Sequence, residues 1–339
     1  MLATTILALE GALASSVTIT IDVLAMANHV CRRLERPPAF DVCLVGSGAM
    51  HFRPFLAFPE AEHATPALFI VPAQGLSKAD HYAARLAEAD CEQARAIIHA
   101  AASAGAAIAS SCTGTLLLAS SGLLDGRQAT TAWWLAPELK RLFPRVELDS
   151  AALVLRDGRF TTAGAAMAQM DLMAALVAEH AGAQVAEQCV RTMLLDQRPS
   201  QMPYVAIGAL AGQSENIARA AGWARSRLGQ GIGVNDLAAA AGQSPRTFAR
   251  HVNTATGLSP VQFLQQLRVE RAIELIETTQ HSFDEITFQV GYADASTLRT
   301  LIRRSTGLGP RELRSRGRRP ARAHGRISPN HGKAATPLR

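Results

Sequence analysis

A repeat in the last third of the chain restricts that part to a helical domain. Each copy contains an apolar helical segment, a glycine, a second helical segment and a final Gly-Leu-x-Pro motif, where x is Ser in the first copy and Gly in the second. The first copy comprises Leu237–Ala241, Gly242, Phe248 and Gly257–Pro260, and the second, 49 to 50 residues later, comprises Ile286–Val290, Gly291, Leu298 and Gly307–Pro310. Since strand patterns are absent from about residue 214 onward, the repeat predicts two helix-turn-helix units in tandem.

The second helix of each unit can be phased by its apolar residues. Ser244 and Asp294 are the predicted N-caps of these two helices. The residues expected to face the core are Phe248, Val252 and Ala255 in the first unit and Leu298, Leu301 and Ile302 in the second. The residues expected to point outward are Arg246, Ala249, Arg250 and Asn253 in the first unit and Ser296, Arg299, Thr300 and Arg303 in the second.

These outward faces carry side chains that can contact double-stranded DNA. Arginine can bind O6 and N7 of guanine together, and Ser or Thr can contact bases or phosphates. For any single arginine the alternative is a solvated helix face. The recurrence of arginines on equivalent faces of two copies favours DNA, with the two helices in successive major grooves. Arg304 and the arginines that follow the second unit are expected to contact phosphate.

The distribution of charge along the chain agrees with a polyanion as partner of the C-terminal part alone. Residues 1–214 carry 15 Lys and Arg against 19 Asp and Glu, whereas residues 311–339 carry nine against one. A basic end on a mildly acidic chain is typical of nucleic-acid binding. Residues 316–339 have no apolar period, so we expect a disordered basic tail.

The first half of the chain alternates short apolar runs with helical stretches. The predicted strands are Leu2–Leu9, Phe40–Val45, Leu68–Val71 and Ala106–Ser110, with a hairpin at Asp157-Gly158 between Ala152–Leu155 and Arg159–Thr162. The predicted helices are Val17–Leu34, Ala79–Ala102, Thr113–Ala119, Ala165–Glu179 and Ala183–Leu195. This order predicts an α/β domain with a parallel sheet covered on both faces. Asp196–Pro203 is proline-containing and polar, which predicts a linker.

The second helical unit resembles the signature of AraC/XylS-type transcription regulators. The resemblance rests on Gly291–Ser296, Leu298-Arg299, Leu301–Arg304, Gly307–Pro310 and Leu313-Arg314, and it extends over residues 214–314. The family usually has phenylalanine where Leu298 and Leu301 stand, which are apolar exchanges at buried positions. The resemblance implies DNA binding by two helix-turn-helix units joined by a long helix, and Val261–Ile276 matches that connecting helix.

A cysteine, Cys112, lies between a predicted strand and a predicted helix and is flanked by small residues. A sharp turn requires such neighbours, and the adjacent helix N-terminus favours a thiolate. The surrounding sequence resembles PfpI-type domains with a flavodoxin-like, class I glutamine amidotransferase-like fold. The matching segments are Ala109–Thr115, Gly122–Arg127, Thr130–Trp133, Phe143–Val146 and Thr162–Gly164. A PfpI-type domain followed by an AraC-type module is the arrangement of GlxA-like regulators.

Catalysis by Cys112 would require a base and a group that orients the base. PfpI-type enzymes typically carry His directly after the cysteine, where this chain has Thr113. GlxA-like regulators often carry His where this chain has Ala132. The acidic residue expected after the first strand is also missing, since Ala14–Ser16 occupy that stretch. We therefore predict no catalytic residue; Cys112 is the residual candidate, and its alternative role is a buried small hydrophobe.

An inert turn of this kind predicts a binding site for a small metabolite. The N-terminus of the following helix suits a carboxylate, and Trp133 could face a cationic group through a cation–π contact, the alternative being a core tryptophan. The predicted ligand-binding residues are Cys112, Thr113, Gly114 and Trp133. The resemblance implies an effector such as an amino acid or a quaternary ammonium compound.

Together these features predict a one-chain, ligand-responsive transcription regulator. The predicted domains are residues 1–182 (PfpI-type sensor), 183–213 (connecting helix and linker), 214–315 (AraC-type DNA-binding domain) and 316–339 (basic tail). We expect a cytoplasmic homodimer that binds double-stranded DNA and a small-molecule effector but no membrane, with activation as the family's usual mode.

The spacing of the cysteines and histidines indicates whether the chain could form disulfides or bind a metal. The five cysteines lack CxxC spacing and the ten histidines form no ligand cluster, which predicts no disulfide scaffold, no metal and no cofactor. Two alternatives remain open. One is a Cys-dependent, amidase-like hydrolase fused to a DNA-binding module, and the other is a nonspecific architectural DNA binder.

Overall fold

The structure is a computed structural model that describes residues 1–56, 59–61, 65–75, 82–195, 198, 200–201, 214–256 and 258–317. An α/β domain with a mostly parallel sheet is followed by an all-helical domain, which confirms the predicted fold class. The predicted tail falls almost entirely outside the described residues, as do parts of the predicted linker.

The N-terminal domain is built on a six-stranded sheet of order β2-β1-β3-β4-β8-β7. Its strands are β1 (Leu2–Leu7), β2 (Phe40–Val45), β3 (Leu68–Val71), β4 (Ala107–Ser111), β7 (Val154–Asp157) and β8 (Phe160–Ala163). A separate pair consists of β5 (Gln128–Ala129) and β6 (Glu147–Leu148). The neighbours in the main sheet are parallel apart from the β7–β8 hairpin, which the Asp157-Gly158 turn closes as predicted.

Helices cover both faces of this sheet. They are α1 (Ala14–Arg33), α2 (Ala49–Phe52), α3 (Tyr82–Leu86), α4 (Ala89–Ser103), α5 (Thr113–Ser120), α6 (Ala136–Leu142), α7 (Ala168–Ala181) and α8 (Ala183–Thr192). The prediction of a single helix over residues 79–102 is wrong in its described part, because the helix is interrupted at residues 87–88, between α3 and α4. Two apolar clusters result, one between the sheet and α1, α7 and α8 and the other on the α4 and α5 face.

One helix of the described residues, α1, is long and apolar enough to cross a membrane by length and composition alone. Ten of its side chains are buried, among them Val17, Ile21 and Leu24, and they pack in the cluster against the sheet. The apolar character of α1 is therefore explained by its place in the core of the domain.

The C-terminal domain consists of helices arranged as two units. They are α9 (Glu215–Arg225), α10 (Val234–Ala240), α11 (Pro245–Thr256), α12 (Pro260–Thr278), α13 (Phe283–Gln289), α14 (Ala295–Thr306) and α15 (Pro310–Gly317). The long helix α12 is the predicted connecting helix, and it contributes to both cores. Phe263 and Leu267 lie in the first cluster, whereas Ala272 and Ile276 lie in the second.

The two units are held against each other by close backbone contact. Gly291, in the turn of the second unit, has φ +82°, and a Cβ built on it would lie 2.2 Å from the carbonyl oxygen of Leu228 in the first unit. From α12, Arg268 donates a 2.8 Å hydrogen bond to the carbonyl oxygen of Ile232, and its guanidinium lies 5.4 Å from the ring centre of Tyr292. The relative orientation of the two units is therefore fixed by contacts that leave no room for a side chain at Gly291.

Candidate functional site

The first predicted DNA-contacting helix, α11, has the predicted phase. The Ser244 hydroxyl accepts a 3.2 Å hydrogen bond from the Thr247 N–H, so the predicted cap is confirmed. The predicted core residues Phe248 and Val252 are fully buried, whereas Ala255 is half-buried. The outward residues Arg246, Arg250 and Asn253 are exposed, and Ala249 is half-buried at the edge of this face.

The second such helix, α14, repeats this arrangement. The carboxylate of Asp294 accepts hydrogen bonds from the N–H groups of Ser296 (3.0 Å) and Thr297 (2.9 Å). These bonds, with those from the two hydroxyls, hold the pKa of Asp294 well below its usual range. The predicted core residues Leu298 and Ile302 are fully buried, and Leu301 is half-buried. The outward residues Ser296, Arg299, Thr300 and Arg303 are all exposed.

The arginines on these two faces have no acidic partner among the described residues. Arg246, Arg250 and Arg303 form no ion pair within the described part of the chain, whereas Arg271 on α12 pairs with Glu274 at 2.8 Å. Arg299 stacks over the ring of Phe283 at 5.2 Å. Each unit thus presents guanidinium groups without a protein carboxylate, and such groups can bind phosphate or a guanine edge.

The Cys112 turn joins β4 to α5 in a backbone conformation that side chains rarely adopt. Cys112 has φ +51° and ψ −124°. Its N–H donates to the carbonyl oxygens of Ala163 (3.1 Å) and Gly164 (2.9 Å). Its own carbonyl oxygen accepts a 2.7 Å hydrogen bond from the hydroxyl of Thr131. A Cβ at Gly114 would lie 2.4 Å from the carbonyl oxygens of Val71, at the end of β3, and of Pro72. The turn is therefore fixed on all sides by backbone contacts, and the glycine at 114 is explained by packing.

The sulfur atom of Cys112 lies in a buried position. Only 4% of the residue is exposed, and this burial raises the pKa of the thiol to about 11, an effect offset in part by hydrogen bonds from Thr113 and from the N–H of Ala166. No charged side chain of the described residues shifts this pKa. The N-terminus of α5 by itself favours a thiolate, but at this position burial outweighs it.

Comparison with known proteins identifies both domains. Residues 6–179 match the DJ-1/PfpI family, and residues 237–316 match a helix-turn-helix domain. The chain belongs to the DJ-1/PfpI family. Its C-terminal domain is of the AraC helix-turn-helix type, so the predicted family resemblance is confirmed.

Similar proteins include two named transcriptional regulators. The chain is 25% identical to GbdR of Pseudomonas aeruginosa over 64% of this chain and 60% of GbdR. It is 28% identical to GlxA of Rhizobium meliloti over 60% of this chain and 64% of GlxA. The match therefore spans less than two thirds of either relative. A solved AraC family transcriptional regulator from Pseudomonas putida is 20% identical with a TM-score of 0.43, over 56% of this chain and 98% of that one.

Uncharged residues occupy the positions where PfpI-type enzymes (residue 113 and residues 14–16) or GlxA-like regulators (residue 132) are expected to carry a base or an acid. The Thr113 hydroxyl donates to the carbonyl oxygen of Gln74, and Ala132 is fully buried. The Ser16 hydroxyl accepts a 3.0 Å hydrogen bond from the N–H of Ala73 and lies 3.4 Å from Oε1 of Gln169. This neutral network replaces the expected carboxylate with hydrogen bonds that need no ionisation.

Trp133 lies at the contact between the two domains. It is half-buried and packs against the C-terminal cluster that contains Phe248 and Val252, and it meets the ring of Trp134 edge-on at 5.3 Å. Nearby, α6 contacts α11. Trp133 therefore links the Thr131 segment of the Cys112 turn to the first helix-turn-helix unit, and its role in ligand binding stays a prediction, as do those of Cys112, Thr113 and Gly114.

A cleft of about 540 Å³ lies between residues of the two domains. Asp149, Ala151 and Ser200 line it on one side, and Gln262 and Arg303 line it on the other. The predicted outward residue Arg303 thus faces this cleft as well as solvent. Its neighbour Ser305 has a buried hydroxyl with no hydrogen-bond partner among the described residues.

Sequence reasoning missed one residue near the Cys112 turn. Gln201 belongs to the stretch predicted as a linker, of which residues 198, 200 and 201 are described. It is only 2% exposed and donates hydrogen bonds to the carbonyl oxygens of Thr131 (2.9 Å) and Ser150 (3.0 Å). Nothing local distinguishes it from an exposed linker glutamine, because its burial depends on residues 50 to 70 positions away in the sequence.

Proposed function

We propose that this protein is a DNA-binding transcription regulator whose N-terminal domain senses a small metabolite without catalysis. The observation that carries the proposal is the pair of exposed arginine faces on α11 and α14. Their guanidinium groups form no ion pair in the described residues, although acidic residues are available elsewhere in the domain. Unpaired arginines on two equivalent helices of one domain suit a repeated polyanion better than a solvated surface.

The proposed mode of binding follows from the tandem arrangement. The two helices would enter successive major grooves, which are roughly 34 Å apart on one side of B-DNA. The proposed base or phosphate contacts are Arg246, Ala249, Arg250 and Asn253 from α11 and Ser296, Arg299, Thr300 and Arg303 from α14. Arg304 and the basic tail would contact phosphates and add affinity without sequence preference.

The proposed sensing role rests on the Cys112 turn. A buried thiol with a pKa near 11 is a poor nucleophile, and the residues beside it supply hydrogen bonds but no charged base. A buried, uncharged turn between α5 and Thr131 suits the binding of a ligand better than its chemical conversion. An amino acid or a quaternary ammonium compound is the proposed class of effector, as the resemblance to GlxA-like regulators implies.

The oligomeric state and the location of the protein are proposed from its DNA-binding role. Two protomers would present four DNA-contacting helices, which raises the effective concentration on a repeated site. A homodimer in the cytoplasm is therefore the proposed working form, with activation as its mode of regulation.

Genome-wide mapping of the sites bound by the full-length protein tests the proposal. We expect a small set of sites that share a repeated motif, and retention of purified protein on those fragments in the presence of excess unrelated DNA. Binding that follows salt concentration but is the same on every fragment would instead support a nonspecific architectural protein. The genes beside the bound sites would then supply metabolites for direct titration against the protein.

A further inference from the structure

The predicted linker Asp196–Pro203, called the connector below, is anchored to the N-terminal domain by a buried side chain. Gln201 is 2% exposed, and its Nε2 lies within hydrogen-bond distance of the carbonyl oxygens of Thr131 (2.9 Å), Ser150 (3.0 Å) and Ala152 (3.1 Å). An amide NH2 has two hydrogens, so three carbonyl acceptors surround a group that can fully satisfy two of them. Gln201 therefore attaches the connector to the N-terminal domain through a fully enclosed side chain.

The other end of the same amide is left without a partner. The Oε1 atom of Gln201 is buried and accepts no hydrogen bond from the described residues. It lies against Gly164, where an added Cβ would be 2.7 Å from it. Because a buried acceptor without a donor opposes burial, the docked position of Gln201 is less stable than its donor contacts alone suggest.

The residues that hold Gln201 also hold the backbone of Cys112. Thr131 accepts from Gln201 with its carbonyl oxygen and donates to the carbonyl oxygen of Cys112 with its hydroxyl. Gly164 lies against Oε1 of Gln201 and accepts the N–H of Cys112 with its own carbonyl oxygen at 2.9 Å. Two of the hydrogen bonds that fix the Cys112 peptide groups, those with Thr131 and Gly164, thus involve residues that also contact Gln201.

The anchored part of the connector also forms part of the wall between the domains. The hydroxyl of Ser200 donates a 2.8 Å hydrogen bond to the carbonyl oxygen of Ala151, and both residues line the cleft that Arg303 faces. Arg198 forms an ion pair with Asp171 on α7. A displacement of Gln201 would therefore change the surface on which the second helix-turn-helix unit sits.

We propose that Gln201 is a latch that couples the Cys112 turn to the connector. A ligand that shifts Thr131 or Gly164 removes the contacts that hold the Gln201 amide. Gln201 then leaves its buried site, and the connector is no longer attached to the N-terminal domain through this side chain. By linkage, release of Gln201 loosens the Cys112 turn to the same extent. The regulatory meaning of the latch rests on the proposed sensing function, whereas the coupling itself concerns only this chain.

The forward test uses Gln201→Leu in the full-length protein, which keeps the apolar bulk but removes the donors. The rate of carbamidomethylation of each cysteine by iodoacetamide is followed by peptide mass spectrometry. We expect the rate at Cys112 to rise about tenfold, with the rates at the buried Cys91 and Cys189 unchanged. Ser200→Ala is the matched control, since it removes a connector hydrogen bond that touches neither Thr131 nor Gly164, and it should leave Cys112 at its original rate.

The reverse test uses protein alkylated at Cys112 without any change of sequence. Hydrogen exchange of the peptide that contains residues 198–201 should become faster than in the unmodified protein. An unchanged Cys112 rate in Gln201→Leu, or a rise at all cysteines together, would overturn the latch, the second because it indicates general unfolding.

DNA retention is measured separately, on the fragments found by genome-wide mapping. Failure of the unaltered protein to select any fragment would overturn the proposed function while the thiol rates still decide the latch. Selective DNA binding together with an unchanged Cys112 rate in Gln201→Leu would overturn the latch alone. The two proposals therefore fail in different measurements.

Discussion

The hydroxyl of Thr131 donates a 2.7 Å hydrogen bond to the carbonyl oxygen of Cys112, and both residues are buried. This bond ties the segment that leads to Trp133 to the turn between β4 and α5. The positive φ of Cys112 is thereby maintained by a side chain that lies far away in the sequence.

Thr131→Val keeps the shape of the side chain but removes the donor. The buried carbonyl oxygen of Cys112 then keeps only the 3.1 Å hydrogen bond from the N–H of Thr115, so we expect the free energy of unfolding to fall by about 0.5–1.5 kcal/mol. Urea unfolding followed by circular dichroism measures the change. Thr18→Val is the control, because the Thr18 hydroxyl bonds only the carbonyl oxygens of Ala14 and Ser15 in the first turn of its own helix. Equal losses in both variants would contradict a special role for the Thr131 bond.

Arg250→Ala tests the outward face of α11. We expect specific DNA binding to weaken by about 1–3 kcal/mol with relaxed sequence preference at the bases concerned, because a bidentate arginine contact discriminates between bases. Fluorescence anisotropy with a selected fragment and its single-base variants measures both effects. Arg271→Ala removes the same charge from α12, where Arg271 is paired with Glu274, and should leave the preference intact. Unchanged preference in both Arg250→Ala and Arg246→Ala would remove α11 from base recognition.

Gly291→Ala tests the contact between the two helix-turn-helix units. The new Cβ would lie 2.2 Å from the carbonyl oxygen of Leu228 at a φ of +82°, so we expect a loss of at least about 2 kcal/mol in unfolding free energy. Gly231→Ala is the matched control, since Gly231 has φ +70° but no atom within 4 Å of the added Cβ. The control should lose only about 1 kcal/mol from backbone strain. Similar losses of unfolding free energy in the two variants, measured by thermal unfolding, would show that the close approach of Gly291 to Leu228 does not add to the cost of backbone strain.

The pKa of Cys112 predicts the pH dependence of its chemistry. Burial raises this pKa from 9.0 to about 11, so alkylation of Cys112 should accelerate steadily from about pH 7 to about pH 10 without reaching a plateau. A plateau below about pH 8 would indicate a thiolate and would support the hydrolase alternative.

The same shift has a consequence for stability. Because the folded pKa exceeds the ordinary one, the neutral thiol is the form that the fold favours. The contribution of Cys112 is therefore fully present below pH 9.0 and is lost as the pH rises toward about 11. Cys112→Ser should remove this part of the alkaline decline in unfolding free energy, and an identical decline in the variant would contradict the assignment.

Much of the fold could be predicted because its signals are local. The strands Phe40–Val45 and Leu68–Val71 have the bounds expected from their apolar runs, and the repeat placed α11 and α14 with the correct outward faces. Helical phase depends on residues three and four positions apart, so Phe248 and Val252 suffice to orient Arg250.

Long-range packing decided the rest of the candidate site. A strand-to-helix turn at Cys112 follows from its small neighbours, but the burial that raises its pKa arises from the chain on every side of the turn. Likewise, the sequence marks Gln201 only as a polar linker residue and Trp133 only as an aromatic one. Their places, against Thr131 and Gly164 and against the first helix-turn-helix core, depend on how distant segments meet.

The sequence by itself determined that the chain contains a parallel α/β domain, a cysteine turn and two helix-turn-helix units whose second helices carry outward arginines. The tertiary structure alone decided that the cysteine is a neutral buried thiol, that Trp133 lies between the domains and that Gln201 is anchored beside the turn. The physical reason is that backbone pattern and helical phase are set by neighbouring residues, whereas burial, and with it protonation and hydrogen bonding, is set by whatever residues the fold brings into contact.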